Sequence, residues 1–135
     1  MILIINNYKV IFINCILLGI PDRPQIADAN TTSSTATIVW LPVDYNGGYQ
    51  RKFLSYSVQY TDDAKLRDND CKQCLQSNNI TKTTVTIENL FYNSSYWIRI
   101  ISQNPAGDNY GSWMKISTKG NKPVIFIILV WKLLP

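Results

Sequence analysis

Histidine is absent from this 135-residue chain. Its absence removes the commonest general base, the Ser–His and Cys–His pairings, and most zinc sites. Lysine and arginine never gather into runs of five or six, and the net charge of +4 is modest. The electrostatic footprint of a nucleic-acid binder is therefore missing. No glycine-rich loop follows a strand to cradle a phosphate. Acidic pairs occur at Asp62–Asp63 and at Asp68 with Asp70. A calcium loop needs spaced oxygen ligands around a fixed turn glycine, and this stretch lacks them, so it reads as solvated surface. The chain is expected to be no enzyme, with no cofactor and no metal site.

Cysteine is scarce too, at three residues: Cys15, Cys71 and Cys74. Cys15 sits in an apolar N-terminal run. Cys71-Lys72-Gln73-Cys74 has the spacing of a redox motif, but such a motif needs a βαβ setting that no neighbouring pattern supplies. As half of a zinc site it lacks two further ligands. The pair reads as a small disulfide clipping one loop in an oxidising compartment.

What the chain does have is β patterning. Hydrophobic residues make up 46% and aromatics 12%, with eight tyrosines, enough for the core of one β-rich domain. The organising stretch is 89–107, N-L-F-Y-N-S-S-Y-W-I-R-I-I-S-Q-N-P-A-G. After Leu90 and a polar corner, Tyr96, Ile98 and Ile100 fall on one face, with Arg99 and Gln103 on the other. Period-two alternation marks a strand with one buried face. Asn104-Pro105-Ala106-Gly107 ends it, since Pro105 cannot donate to a ladder and Gly107 permits positive φ. Further strands are expected at 25–29, 36–40, 56–60, 71–75, 84–87 and 112–118, the last with Met114 and Ile116 inward. Asn46-Gly47-Gly48 supplies a turn, residues 61–70 read as a polar loop, and the prolines of 21–24 read as a linker.

Leu90, a corner and Tyr96 at the head of a long strand resemble the tyrosine corner of Ig-like sandwiches. The run resembles N-L-x-P-x-T-x-Y-x-V-x-V-x-A-x-N-x-x-G of the fibronectin type III family, departing at Tyr92 for Pro, Ser94 for Thr and Ser102 for Ala. Ser34-Thr35-Ala36-Thr37-Ile38-Val39-Trp40 is similar to the family's second strand with its buried Trp, and Tyr56-Ser57-Val58-Gln59-Tyr60 to its Y-x-V-x-Y. Residues 43–53 look like the G-G-x-x-Q-x-F stretch of type III domains in nephrin-like Ig-superfamily adhesion receptors, departing by one position at Gln50. The resemblance implies an all-β, seven-stranded, two-sheet sandwich over 21–120, with Trp40, Tyr56, Leu90 and Tyr96 as structural residues. No Arg-Gly-Asp occurs in the turn after the long strand, so the familiar integrin tripeptide is not supported.

Both ends are apolar. Residues 1–20 read either as a poor signal peptide, interrupted by Asn14 and ending on Ile20, or as a fragment end. Residues 121–135 carry an apolar run little more than half the roughly 20 residues of a membrane helix. They read as a truncated membrane span, a non-native extension, or the start of a further domain.

Three N-x-[ST] sequons begin at Asn30, Asn79 and Asn93, each expected at a strand edge or loop where a glycan can attach. With the cysteine pair they favour a secreted or cell-surface setting. Trp97, Arg99, Ile101 and Trp113 fall on outward positions and are candidate partner contacts, with packing against a neighbouring domain or within the sheet's own side-chain ladder as the alternative. Arg99 and Trp113 are expected to be cross-strand neighbours. The expected function is a non-catalytic interaction or spacer module of a cell-surface adhesion or recognition receptor. Its partners would be extracellular proteins or neighbouring Ig or type III domains, with no nucleic acid, and with membrane contact only through the end segments. The alternatives are a cytokine-receptor-type module, supported by Gly111-Ser112-Trp113 alone, and an accessory spacer of a secreted carbohydrate-active enzyme.

Overall fold

The alternating runs pair into two antiparallel sheets. The computed structural model describes residues 2–6, 9–13, 18–68, 71 and 74–120, with backbone alone for 2–6, 9–13 and Asp68. One sheet has the order β3 (Gln25–Thr31), β4 (Ala36–Leu41), β7 (Thr84–Ile87). The other runs β10 (Met114–Ser117), β8 (Ser95–Asn104), β5 (Ser55–Thr61), β6 (Leu75–Ile80), with β9 (Gly107–Tyr110) also on β8. β1 (Ile2–Asn6) and β2 (Lys9–Ile13) pair antiparallel with each other and, among the described residues, with no other strand. Cys15 and residues 121–135 lie outside the described residues.

Period two decides what is buried. Ala36, Ile38 and Trp40 point inward from β4, and Tyr56 and Val58 from β5. Tyr96, Ile98 and Ile100 do so from β8. Trp40 is 1% exposed and meets Tyr56 edge-on, ring centroids 5.4 Å apart. Its indole Nε1 is buried with no hydrogen-bond partner among the described residues, and nothing in the structure explains that. The Tyr56 hydroxyl accepts from the Val43 amide at 3.3 Å.

The tyrosine corner forms. Leu90 is buried and its amide donates to the Ser34 carbonyl at 2.9 Å. The Tyr96 hydroxyl accepts from the Phe91 amide at 2.9 Å, and Asn93 turns the chain with φ of 49°. Thr118 closes the same end, its Oγ1 donating to the Phe91 carbonyl at 2.6 Å.

Sequence expectations are corrected at several points. Residues 61–70 are not all loop: α1 (Ala64–Asp68) forms there. Asp63 starts it by accepting the Lys65 amide at 2.8 Å on its side chain, as N-cap residues do. The strand expected at 71–75 lies later, at Leu75–Ile80, because Cys71 has φ of 55° and Cys74 donates back to its carbonyl in a turn. The strand expected at 112–118 forms as β10, but an additional strand, β9, precedes it, the two separated at Gly111. A Cβ there would stand 2.8 Å from the Ile100 carbonyl oxygen and 2.9 Å from that of Pro24. Met114 lies opposite the core residue Ile98, on the inward side as expected, yet is 39% exposed because it opens an edge strand.

Nor is 21–24 a free linker. The Asp22 amide donates to the Tyr45 carbonyl at 2.8 Å, and the Ser102 hydroxyl donates to the Asp22 carbonyl at 2.6 Å. Asn109 Nδ2 reaches the Pro21 carbonyl at 3.0 Å. Asn104 Nδ2 reaches the carbonyls of Gly19 and Asn46 at 2.8 and 3.1 Å. Gly47, at φ of 80°, completes the seat, since a Cβ there would collide with the Gly19 carbonyl.

Candidate functional site

Residues of β8 that skip the core point the other way, onto the outer face of the five-stranded sheet. The register puts Arg99 opposite Gln59, Trp97 opposite both Thr61 and Lys115, and Ile101 opposite both Ser57 and Tyr110. Trp113, one residue before β10, extends that register to Arg99.

Cations stack on aromatics along this face. The Arg99 guanidinium lies 4.6 Å from the Tyr110 ring centroid and 4.5 Å from that of Trp113. On the same face the Arg67 guanidinium of α1 lies 4.2 Å from the Trp97 ring centroid, with Lys115 Nζ at 5.8 Å from the same ring. Each exposed contact of this kind gains about 0.5–1 kcal/mol from the ring quadrupole. Hydrogen bonds continue the row across the sheet: Arg99 Nε donates to Gln59 Oε1 at 2.8 Å, and Gln59 Nε2 to Gln76 Oε1 at 3.0 Å. Guanidinium and rings are thus held in fixed orientation, half-buried, with the Tyr110 ring 42% exposed.

The expected contact residues divide. Trp97, Arg99 and Trp113 share the outer face and are half-buried. Ile101 does not serve, being 2% exposed: its face is outward, but the strands beside it carry Ser57 and Tyr110, and it is covered. Arg67, Tyr110 and Lys115 belong to the cluster and were not singled out from the sequence. Parity along the strands exposes Lys115, but Arg67 arrives by a helix whose fold-back no local pattern announces.

The cysteines and sequons lie elsewhere. Cys71 and Cys74 are bonded, their Cα atoms 5.0 Å apart. Cys71 is buried, with its amide on the Leu66 carbonyl at 3.1 Å, so the bridge closes the turn directly behind α1. Asn30 is exposed on the edge strand β3, Asn79 on the edge strand β6, and Asn93 in the turn before β8. Among the described residues no group of His, Cys, Asp and Glu is arranged to hold a metal, and no helix is long and apolar enough to cross a membrane.

Comparison with known proteins gives the same architecture. Residues 21–118 match the family model described as fibronectin type III domain. No curated protein matches the chain. Among solved structures, the fn3 domain of human contactin 1 superposes with TM-score 0.62 at 18% identity, over 86% of this chain and 92% of that one. The FN5 domain of Drosophila Lar gives 0.56 at 15%, over 76% and 100%. Domains A168–A170 of titin give 0.55 at 22%, over 74% of this chain, which spans only 32% of that fragment. At these identities the likeness is one of fold.

Proposed function

We infer that this chain, which belongs to the fibronectin type III family, is a non-catalytic protein-contact module from the extracellular part of a cell-surface adhesion or recognition receptor. The observation that carries the reading is the outer face of the five-stranded sheet. Trp97, Tyr110 and Trp113 are presented there with Arg67, Arg99 and Lys115 stacked on them. Aromatics and arginine are the side chains most enriched at interface hot spots, and rings already held in place lose little freedom on binding. The bridged cysteines and three exposed sequons support the extracellular setting. The stretch from Gly47 to Phe53, similar to G-G-x-x-Q-x-F but with Gln50 one position early, supports a nephrin-like Ig-superfamily receptor as the source.

Secretion of the full chain from animal cells tests the setting. Glycans removable by an N-glycosidase at Asn30, Asn79 or Asn93 are expected, and a chain carrying none overturns it. The contact role is tested by capture on a panel of receptor ectodomains. Trp97→Ala and Trp113→Ala should each weaken capture at least about thirtyfold, the equivalent of the roughly 2 kcal/mol that marks a hot-spot residue. Capture that ignores both variants refutes the assignment of this face.

One observation favours a second reading, a cytokine-receptor-type module. Arg99 between Tyr110 and Trp113, continued by Arg67, Trp97 and Lys115, is more than a single cation–ring pair. Selective capture by helical-bundle ligands over Ig-type ectodomains would select this reading over the first.

A further inference from the structure

A second surface, at the end of the sandwich where the tyrosine corner sits, has a different chemistry. A cavity of about 360 Å³ opens between the end of β5, α1 and the turn from β7 to β8. Leu66, Leu75, Leu90 and Phe91 give it apolar walls, and Asp62 and Glu88 also line it. Leu75 is 62% and Phe91 72% exposed, an arrangement that leaves apolar surface in water beside a concavity. No Lys or Arg lines it. Neither carboxylate has a hydrogen-bond or ion-pair partner among the described residues.

We propose that this cavity docks a partner-protein segment in which a Lys or Arg stands beside an apolar side chain. It rests on the reading of the chain as a contact module and adds a site away from the stacked face. Charge complementarity selects the occupant: two unpaired carboxylates around an apolar floor favour a cationic head on an aliphatic stem, and disfavour an acidic one. One basic and one apolar side chain of such a segment are the smallest set that meets both the carboxylates and the apolar walls.

The test is an amide-shift titration of the ¹⁵N-labelled full chain with two acetylated peptides, Leu-Lys-Leu-Lys-Leu and Leu-Glu-Leu-Glu-Leu. The basic peptide should move the amides of Leu66, Leu75, Asn89 and Phe91, and the acidic one should bind at least fivefold more weakly. Asp62→Asn and Glu88→Gln should each weaken the basic peptide roughly two- to fivefold, the worth of one exposed ion pair. Both side chains are exposed, so neither variant threatens folding. Equal response to the two peptides, or none, overturns the proposal. So do shifts at these amides on concentrating the chain alone, which would make a second copy the occupant. Binding that appears only after truncation at Gly120 would make the chain's own 121–135 the occupant and likewise overturns it. Shifts confined to Trp97, Arg99 and Lys115 overturn this site while leaving the contact-module reading intact.

Discussion

Replacing Tyr96 by Phe removes one oxygen from the interior and almost nothing else. The ring stays, so the apolar surface buried by a side chain only 5% exposed is unchanged. What is lost is the bond from the Phe91 amide, 2.9 Å long. A net hydrogen bond contributes about 0.5–1.5 kcal/mol, and a donor stranded out of water costs about 1–3. Phe91 is 72% exposed as a residue, so water can reach its amide, and the lower end of the second range applies. The expected loss is about 1–2 kcal/mol. With a urea slope of about 1 kcal/mol/M, appropriate to a domain this size, the midpoint falls by roughly 1–2 M at constant slope. Tyr56→Phe is the internal control: the same atom is removed, but its bond from Val43 is 3.3 Å, near the weak limit of such bonds. Tyr56→Phe should therefore cost less than Tyr96→Phe. If Tyr96→Phe leaves the midpoint unmoved, or Tyr56→Phe costs more, the corner does not hold the sheets as described.

Gly111→Ala should destabilise by about 1–3 kcal/mol, the range for forced overpacking, because its methyl meets two carbonyl oxygens at 2.8 and 2.9 Å; a urea midpoint equal to the parent's would contradict that close approach. Arg99→Ala and Trp113→Ala, with the double variant, should give a coupling of about 0.5–1 kcal/mol in a double-mutant cycle, and additive losses would mean the stack contributes nothing. Cys71 and Cys74 should resist alkylation in folded protein until reductant is added, by intact mass. Their loss should cost at most about 2 kcal/mol, since chain-entropy stabilisation is small for so short a loop; free thiols in secreted protein would remove the bridge from the account.

The legible parts of the fold were those where burial writes itself into alternation. In β4, β5 and the first half of β8, side chains exchange sides, so Trp40, Tyr56 and Tyr96 follow from alternation, while Leu90, outside any strand, was legible through the resemblance to the tyrosine corner. The stacking of Arg99 on Trp113 followed from register on two neighbouring strands. β6 was misplaced because its sequence, Leu-Gln-Ser-Asn-Asn-Ile, is exposed at nearly every residue; it is held by backbone pairing to β5, the Gln59–Gln76 bond and Ile80 packed against the core. α1 was missed because a five-residue helix with Leu66 as its one large apolar residue has no 3.6-residue stripe to detect. Ile101 was taken as exposed because parity reports a side chain's direction, and its cover comes from another strand. Ser102 marks a departure from the family pattern, and its hydroxyl is what bonds Asp22; only the return of a distant segment gives that substitution a partner.

The seating of residues 19–24 also decides how the domain would answer a mechanical pull. Tension applied at Leu18 does not first peel β3 from β4 one hydrogen bond at a time. It meets Gly19, Pro21 and Asp22, anchored to the two loops and to β8 through Asn104, Asn109, Ser102 and the Tyr45 carbonyl. Those bonds are loaded together, so several must yield before the edge strand feels the force. A pull from that end is thus expected to load the side-chain amides of Asn104 and Asn109, the Ser102 hydroxyl and the backbone bond from Asp22 to Tyr45 before the sandwich behind them.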